Sequence, residues 1–214
     1  ASEAERVVTN GMSEFARDKE NINGGLLVNV TPEDYGGAED PLAGIAFQRK
    51  LESAAYALGG GDYRAPAQRV GDILAGRPSV VPGRVHPSYR PGGTWTDLRR
   101  CLPPFVADTI AGALPLLGQK LRGYDDPDAV LTAVESRSSS PVRIPRDGTC
   151  QSSLRGLYPC GAGAGSAGGR PPAGRASPPI SSTWTSLRRR RTASSTARFC
   201  TPIPLTFCAP LPLR

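Results

Sequence analysis

The sequence predicts a mixed body, α+β or α/β, followed by a tail of a different kind. Three observations carry that prediction. Short apolar, β-branched runs lie between turn-forming residues, other stretches repeat their apolar residues at helical spacing, and after Gly169 neither pattern is sustained.

Taken in order, residues 25–31, GLLVNVT, read as a strand between the turn formers of NINGG and the PED that follows. Over residues 41–58 the period becomes helical. Phe47, Leu51, Ala54 and Leu58 fall on one face, Gln48, Arg49, Lys50 and Glu52 lie elsewhere, and glycines at 59–61 end the run. A second amphipathic segment is predicted over 65–74, and residues 77–93, rich in proline and glycine, read as a long connection. Val106, Ile110, Ala113, Leu117 and Leu121 trace another helical stripe, in which Pro115 predicts a kink or two short helices. Strands are then predicted at 129–135, at 141–145 with Val142 and Ile144 on one side and Arg143 on the other, and at 154–160.

A chain of 214 residues is long enough for one domain or a small pair. Its net charge of +7 and pI near 9.5 would suggest a partner with phosphates. The distribution removes that inference for the body: residues 170–214 hold eight arginines and no Lys, Asp or Glu, so this +8 leaves −1 on residues 1–169. The five cysteines, Cys101, Cys150, Cys160, Cys200 and Cys208, are scattered and include no C-x-x-C pair. Neither a zinc site nor a disulfide framework is indicated, no metal is expected, and a reducing compartment, cytoplasm or organelle, is the default. No apolar run approaches the ~18 residues of a membrane span, and the start carries no signal-peptide core, so no membrane partner is expected. Because the chain begins with Ala1 rather than Met, it is expected to be a piece of a longer one.

The predicted strand at 154–160 opens onto GAGAGSAGG. Gly161, Gly163 and Gly165 remove Cβ atoms where a backbone would approach a ligand closely, and Gly168 and Gly169 do the same one step later. N–H groups at the start of a following helix would then face an anion. The flexible turn is the competing reading, since no ribose-binding acid can be placed ~20 residues downstream. Arg137, Arg143 and Arg146 flank SSSP and are candidates for a phosphate or carboxylate fork, against ordinary arginines facing water or acids. Cys160 reads as a small buried residue rather than a redox thiol. His86 reads as a solvated loop residue rather than a base, and Asp125, Asp126 and Asp128 as a solvated turn rather than a cation site.

Several long stretches are more specific: VVTNGMSEFARDKENINGGLLVNVTPEDYGG, PLAGIAFQRKLESAAYALGGGDYRAPAQRVGDILAGRPS, PSYRPGGTWTDLRRCLPPFV, ESRSSSPVRIPRD and LRGLYPCGAGAGSAGG. From about Val7 to Gly169 they resemble the carboxy-terminal part of a family of FAD-dependent oxidoreductases, the FAD-utilising dehydrogenases. The resemblance implies a fragment of a two-domain FAD/NAD(P)-binding-type fold. Residues 1–36 would link to the FAD domain, 37–135 would form an α+β substrate or cap region, and 136–169 would supply the last strands of the nucleotide-binding sheet with the glycine loop. It further implies FAD as cofactor, hydride transfer through the flavin, a small-molecule substrate and NAD(P) as a second candidate partner. Gly161, Gly163, Ala164, Gly165, Gly168, Gly169 and Arg143 would contact the cofactor, and no catalytic residue is assigned. The family pattern has an acid where this chain has Ala162 and commonly an aromatic where it has Ser166; in related flavoproteins that acid bonds the ribityl hydroxyls.

The resemblance stops at Gly169, where the family continues into an alanine-rich helix. Residues 170–214 instead contain eight prolines and the run Arg188 to Arg191, and are expected to be a disordered basic tail, read from the wrong frame of the gene. On that expectation the chain alone is not a competent enzyme. The alternative from another class is a noncatalytic protein whose tail attracts nucleic acid nonspecifically, since no recognition fold accompanies the arginines.

Overall fold

The computed structural model describes residues 2–11, 16, 18–37, 39–137, 140, 142–165, 186–187 and 201–210. Six strands and three α-helices are present among them: β1 Asn21–Val30, α1 Ala43–Gly59, β2 Ala65–Arg69, α2 Val70–Leu74, β3 Gly93–Trp95, α3 Pro104–Gly118, β4 Val130–Thr132, β5 Ser186–Leu187 and β6 Thr201–Pro210. The strands form one sheet in the order β3-β2-β4-β6-β1-β5. β2 runs parallel to β3 and antiparallel to β4, β6 is antiparallel to both β4 and β1, and β1 is parallel to β5.

The first strand extends further toward the N-terminus than the apolar run at 25–31 predicts, because β6 pairs with β1 from Asn21 to Val30 and draws NINGG into the ladder. Leu26, Val28 and Val30, alternate residues of β1, are buried. They share one core with Leu51 and Ala55 of α1, Val70 and Ile73 of α2, Val106, Ile110 and Leu114 of α3, and Leu131 of β4.

The helix predicted over 41–58 is α1, stopped by Gly60 in the left-handed region. The amphipathic helix predicted over 65–74 is half wrong. Residues 65–69 are β2, and only Val70–Leu74 is helical. Pro66 disfavours helix at Ala65, and both edges of the short strand are paired. The third helix runs through Pro115 as one element rather than two, although the proline, lacking an N–H, forfeits the bond to the Ala111 carbonyl. It stops before Leu121, which is exposed.

Only Val130–Thr132 of the strand predicted at 129–135 pairs in the sheet. The strands predicted at 141–145 and 154–160 are absent among the described residues. Residues 142–147 and 154–160 are irregular, joined to their surroundings by isolated hydrogen bonds rather than a ladder. The expectation of a tail without regular structure fails at Ser186–Leu187 and Thr201–Pro210, both in the sheet. Pro202, Pro204 and Pro210 share one parity, so their missing donors fall along one edge of β6 and the other edge keeps its N–H groups. Arg188 to Arg191, Trp184 and the rest of the tail lie outside the described residues, as do Ser166, Gly168 and Gly169. No helix among the described residues is long and apolar enough to cross a membrane.

Candidate functional site

Residues 142–165 fold back on themselves and bring the glycine loop against the segment that carries Arg143. The Ile144 N–H donates to the Ala164 carbonyl at 3.1 Å, and the Arg146 guanidinium donates to the Pro159 carbonyl at 2.9 Å. The Ser140 hydroxyl lies 2.7 Å from the Val142 carbonyl and 3.2 Å from that of Gly163. The far end is closed by Asp147, whose carboxylate accepts from the Thr149 hydroxyl and the N–H groups of Thr149 and Gln151. Those bonds hold the Asp147 carboxyl below its ordinary range, the Thr149 hydroxyl contributing most.

The glycines differ in what requires them. A Cβ on Gly165 would stand 2.8 Å from the Val142 carbonyl oxygen and 2.9 Å from the Arg143 Cα, and the residue has φ +68°. Its own chain therefore demands glycine there, whatever else approaches. Gly161 has φ +76° but open space around it, and at Gly163 a side chain would meet nothing within 4 Å. Of the three described loop glycines, Gly163 is the one that neither φ nor packing explains, as is also true of Gly112 and Gly148 elsewhere; a ligand's close approach would account for it. Ala162–Ala164 forms a single 3-10 turn, with Ala164 buried.

Of the three candidate arginines, the structure leaves one available. Arg143 is exposed and makes no hydrogen bond or ion pair among the described residues, and its backbone lies against Gly165. Arg146 is occupied by Pro159. Arg137 is bound to Glu52 through Nε at 2.9 Å and Nη2 at 2.8 Å, and to Glu3 at 2.8 Å. Its guanidinium is held in the charged form above its ordinary range, chiefly by Glu52.

Glu52 is the residue the helical pattern misplaced. The pattern places it away from the apolar face, yet it is fully buried, accepting from the Ser136 hydroxyl as well as from Arg137. Gln48, one turn earlier, donates to the Ser136 carbonyl at 2.7 Å. The signal was the four-residue spacing of Gln48 and Glu52 beside the buried Leu51 and Ala55, which places two polar groups on one helix edge.

His86 is exposed in its loop, and its carbonyl accepts from Asn21 at 2.8 Å. Asp126 and Asp128 pair with Arg84, and Asp128 also with Arg69 at 3.6 Å, so that turn is ion-paired rather than merely solvated. No group of carboxylates, cysteines or histidines suited to a metal occurs among the described residues. Cys160 is exposed, not buried as its place beside a strand would imply, because the strand is absent. Cys101 is the buried thiol, and burial pushes its pKa up to about 12. A groove of about 560 Å³ along α1, lined by Leu42, Ile45, Ala46, Arg49, Lys50 and Ser53, contains none of these candidates.

An exposed guanidinium with no partner among the described residues, beside a glycine loop with an open backbone, is suited chemically to a phosphorylated ligand. Residues 1–138 match the family model described as FAD-dependent protein, C-terminal domain-like. An uncharacterized protein of Clostridium beijerinckii is 47% identical over 170 residues. That match takes in 79% of this chain but 32% of the clostridial protein, and its length necessarily carries it beyond residue 138. The chain thus spans about a third of this relative, and over that span it belongs to the family of FAD-dependent proteins with this C-terminal domain.

Proposed function

We propose that the chain is the carboxy-terminal part of an FAD-dependent oxidoreductase, in which residues 142–165 face the flavin half of the cofactor. The observation that carries the reading is the pairing of Arg143, without a partner among the described residues, with a loop whose Gly163 leaves open space where a side chain would stand. FAD, when bound, supplies the hydride chemistry; the protein binds and orients it.

The chain's own residues have distinct parts in this. The backbone around Gly161 and Gly163 gives close access to the cofactor, and Arg143 offers a planar fork to a phosphate or to an anionic substrate. Gly165 and the bond from Ile144 to Ala164 keep those two groups side by side. At position 162 an alanine supplies no carboxylate to the ribityl hydroxyls, so affinity for FAD falls below that of a loop carrying the acid. The substrate is a small molecule, with NAD(P) the candidate second partner. Residues 37–135 serve as the substrate or cap region. Residues 170–214 are an out-of-frame reading of the segment that would continue the loop into a helix.

On this reading the chain by itself retains no stoichiometric FAD, whereas residues 7–165 exchanged into the clostridial relative retain it. Flavin absorbance of the purified proteins decides. A colourless exchanged protein beside a yellow parent would remove the reading for this chain, and a colourless parent would remove it for the relative as well.

A further inference from the structure

Residues 140 and 142–165 form hydrogen bonds only with one another among the described residues. None of their side chains belongs to the core formed by the sheet and the helices. Among the described residues the site-bearing segment is therefore an arm that makes no hydrogen bond to the body, entered from the body through one described root. That root is Ser136–Arg137, three residues and no more than about 11 Å from Ser140.

The root is fastened with unusual thoroughness. Glu52 is completely buried in α1, and its carboxylate accepts from Ser136 Oγ and from Nε and Nη2 of Arg137. Gln48 donates to the Ser136 carbonyl, and Glu3 takes the outer side of the Arg137 guanidinium. Above this, the Thr9 N–H donates to the Val134 carbonyl at 2.9 Å. A buried ion pair adds little net stability over an apolar pair of the same volume. What it does impose is direction: a two-point fork onto a carboxylate fixes both the position and the angle of the chain carrying it.

We infer that Glu52, with Gln48, is a positioning residue that sets the orientation of the 142–165 arm relative to the body and thereby aims Arg143 and Gly163. Neither residue touches the cofactor; both act through Ser136 and Arg137. The consequence for flavin binding rests on the reading proposed above, but the orientation of the arm does not, so the two fail separately.

The test measures that orientation directly in the full chain without flavin. Spin labels are placed on the exposed Cys160 of the arm and on Asp108→Cys of α3, with Cys150, Cys200 and Cys208 replaced by serine. Double electron–electron resonance then gives the distance distribution. The wild-type background is expected to show one narrow distribution. Glu52→Gln and, independently, Gln48→Leu are expected to at least double its width while circular dichroism shows the helices of the body intact. A purely stabilising role would lower the melting temperature and leave the distribution unchanged, and that result in both variants would overturn the proposal. A broad distribution before any substitution would overturn it equally. If Glu52→Gln does not fold, Gln48→Leu, whose side chain is only partly buried, carries the decision alone.

Discussion

Replacing Gly165 by alanine separates what the fold demands of the glycine loop from what a ligand demands. The new Cβ would lie 2.8 Å from the Val142 carbonyl oxygen, 2.9 Å from Arg143 Cα and 3.0 Å from Arg143 Cβ. Two of these three neighbours are backbone atoms, so relief requires the loop to move away from the segment it packs on. Holding a non-glycine residue at φ +68° costs ~1–2 kcal/mol, and inserting a methyl group into filled space adds ~1–3 kcal/mol. The total is about 2–5 kcal/mol, charged to the arm rather than to the core. Native-state hydrogen exchange reads it at Ile144, whose N–H donates to Ala164 across the junction. At ~1.4 kcal/mol per factor of ten, the lower bound is roughly thirtyfold faster exchange. Amides of α3 should be unaffected. Gly163→Ala is the control, with open space and no left-handed φ, and should change exchange by less than about twofold. Equal effects at 163 and 165, or none at 165, would refute the assignment of Gly165 to chain packing.

Ile110→Ala, at a fully buried site in α3, should cost ~2–5 kcal/mol, visible as a fall of roughly 5–15 °C in Tm by circular dichroism. Asp72 is buried, which pushes its carboxyl up, but the bonds from Ser79, Arg69 and Arg77 outweigh burial and hold it below the ordinary value. Its contribution is therefore present above the unfolded value of about 3.9 and lost as pH falls through the folded value; urea midpoints should show a shallower loss between about pH 5 and about pH 3 in Asp72→Asn. Ala162→Glu in the exchanged protein should restore charged hydrogen bonds worth ~1.5–3 kcal/mol, tightening FAD roughly tenfold or more in a fluorescence titration. Translating the gene in all three frames past the Gly169 codon should reveal an alanine-rich helix in another frame, and its absence would make the basic tail genuine.

Where the sequence was legible, a single local pattern decided the outcome. The stripe through Leu51 and the closing glycines marked α1 because a helix is specified by its own residues. At residues 65–69, helical spacing and strand pairing competed, and the neighbours of β2 on both edges won. β6 was hidden because three prolines argue against a strand until their common parity is compared with its two edges. Residues 154–160 have a strand's composition but no strand partner among the described residues, and composition cannot supply one. The same holds at the site. Glycines and Arg143 could be named, but which arginine was already spent depended on Glu52, 85 residues away in sequence from Arg137. Gly165, expected at the ligand, is required by the approach of its own chain as well.

The claim that the arm faces the flavin is tested most directly by photolabelling. The exchanged protein is loaded with an FAD whose ring carries an azide, illuminated, digested with trypsin and mapped by mass spectrometry. Label is expected on peptides from residues 142–165, cut at Arg143, Arg146 and Arg155. Label confined to residues 21–137 of this chain, with residues 142–165 unmodified in a fully loaded protein, would contradict the account.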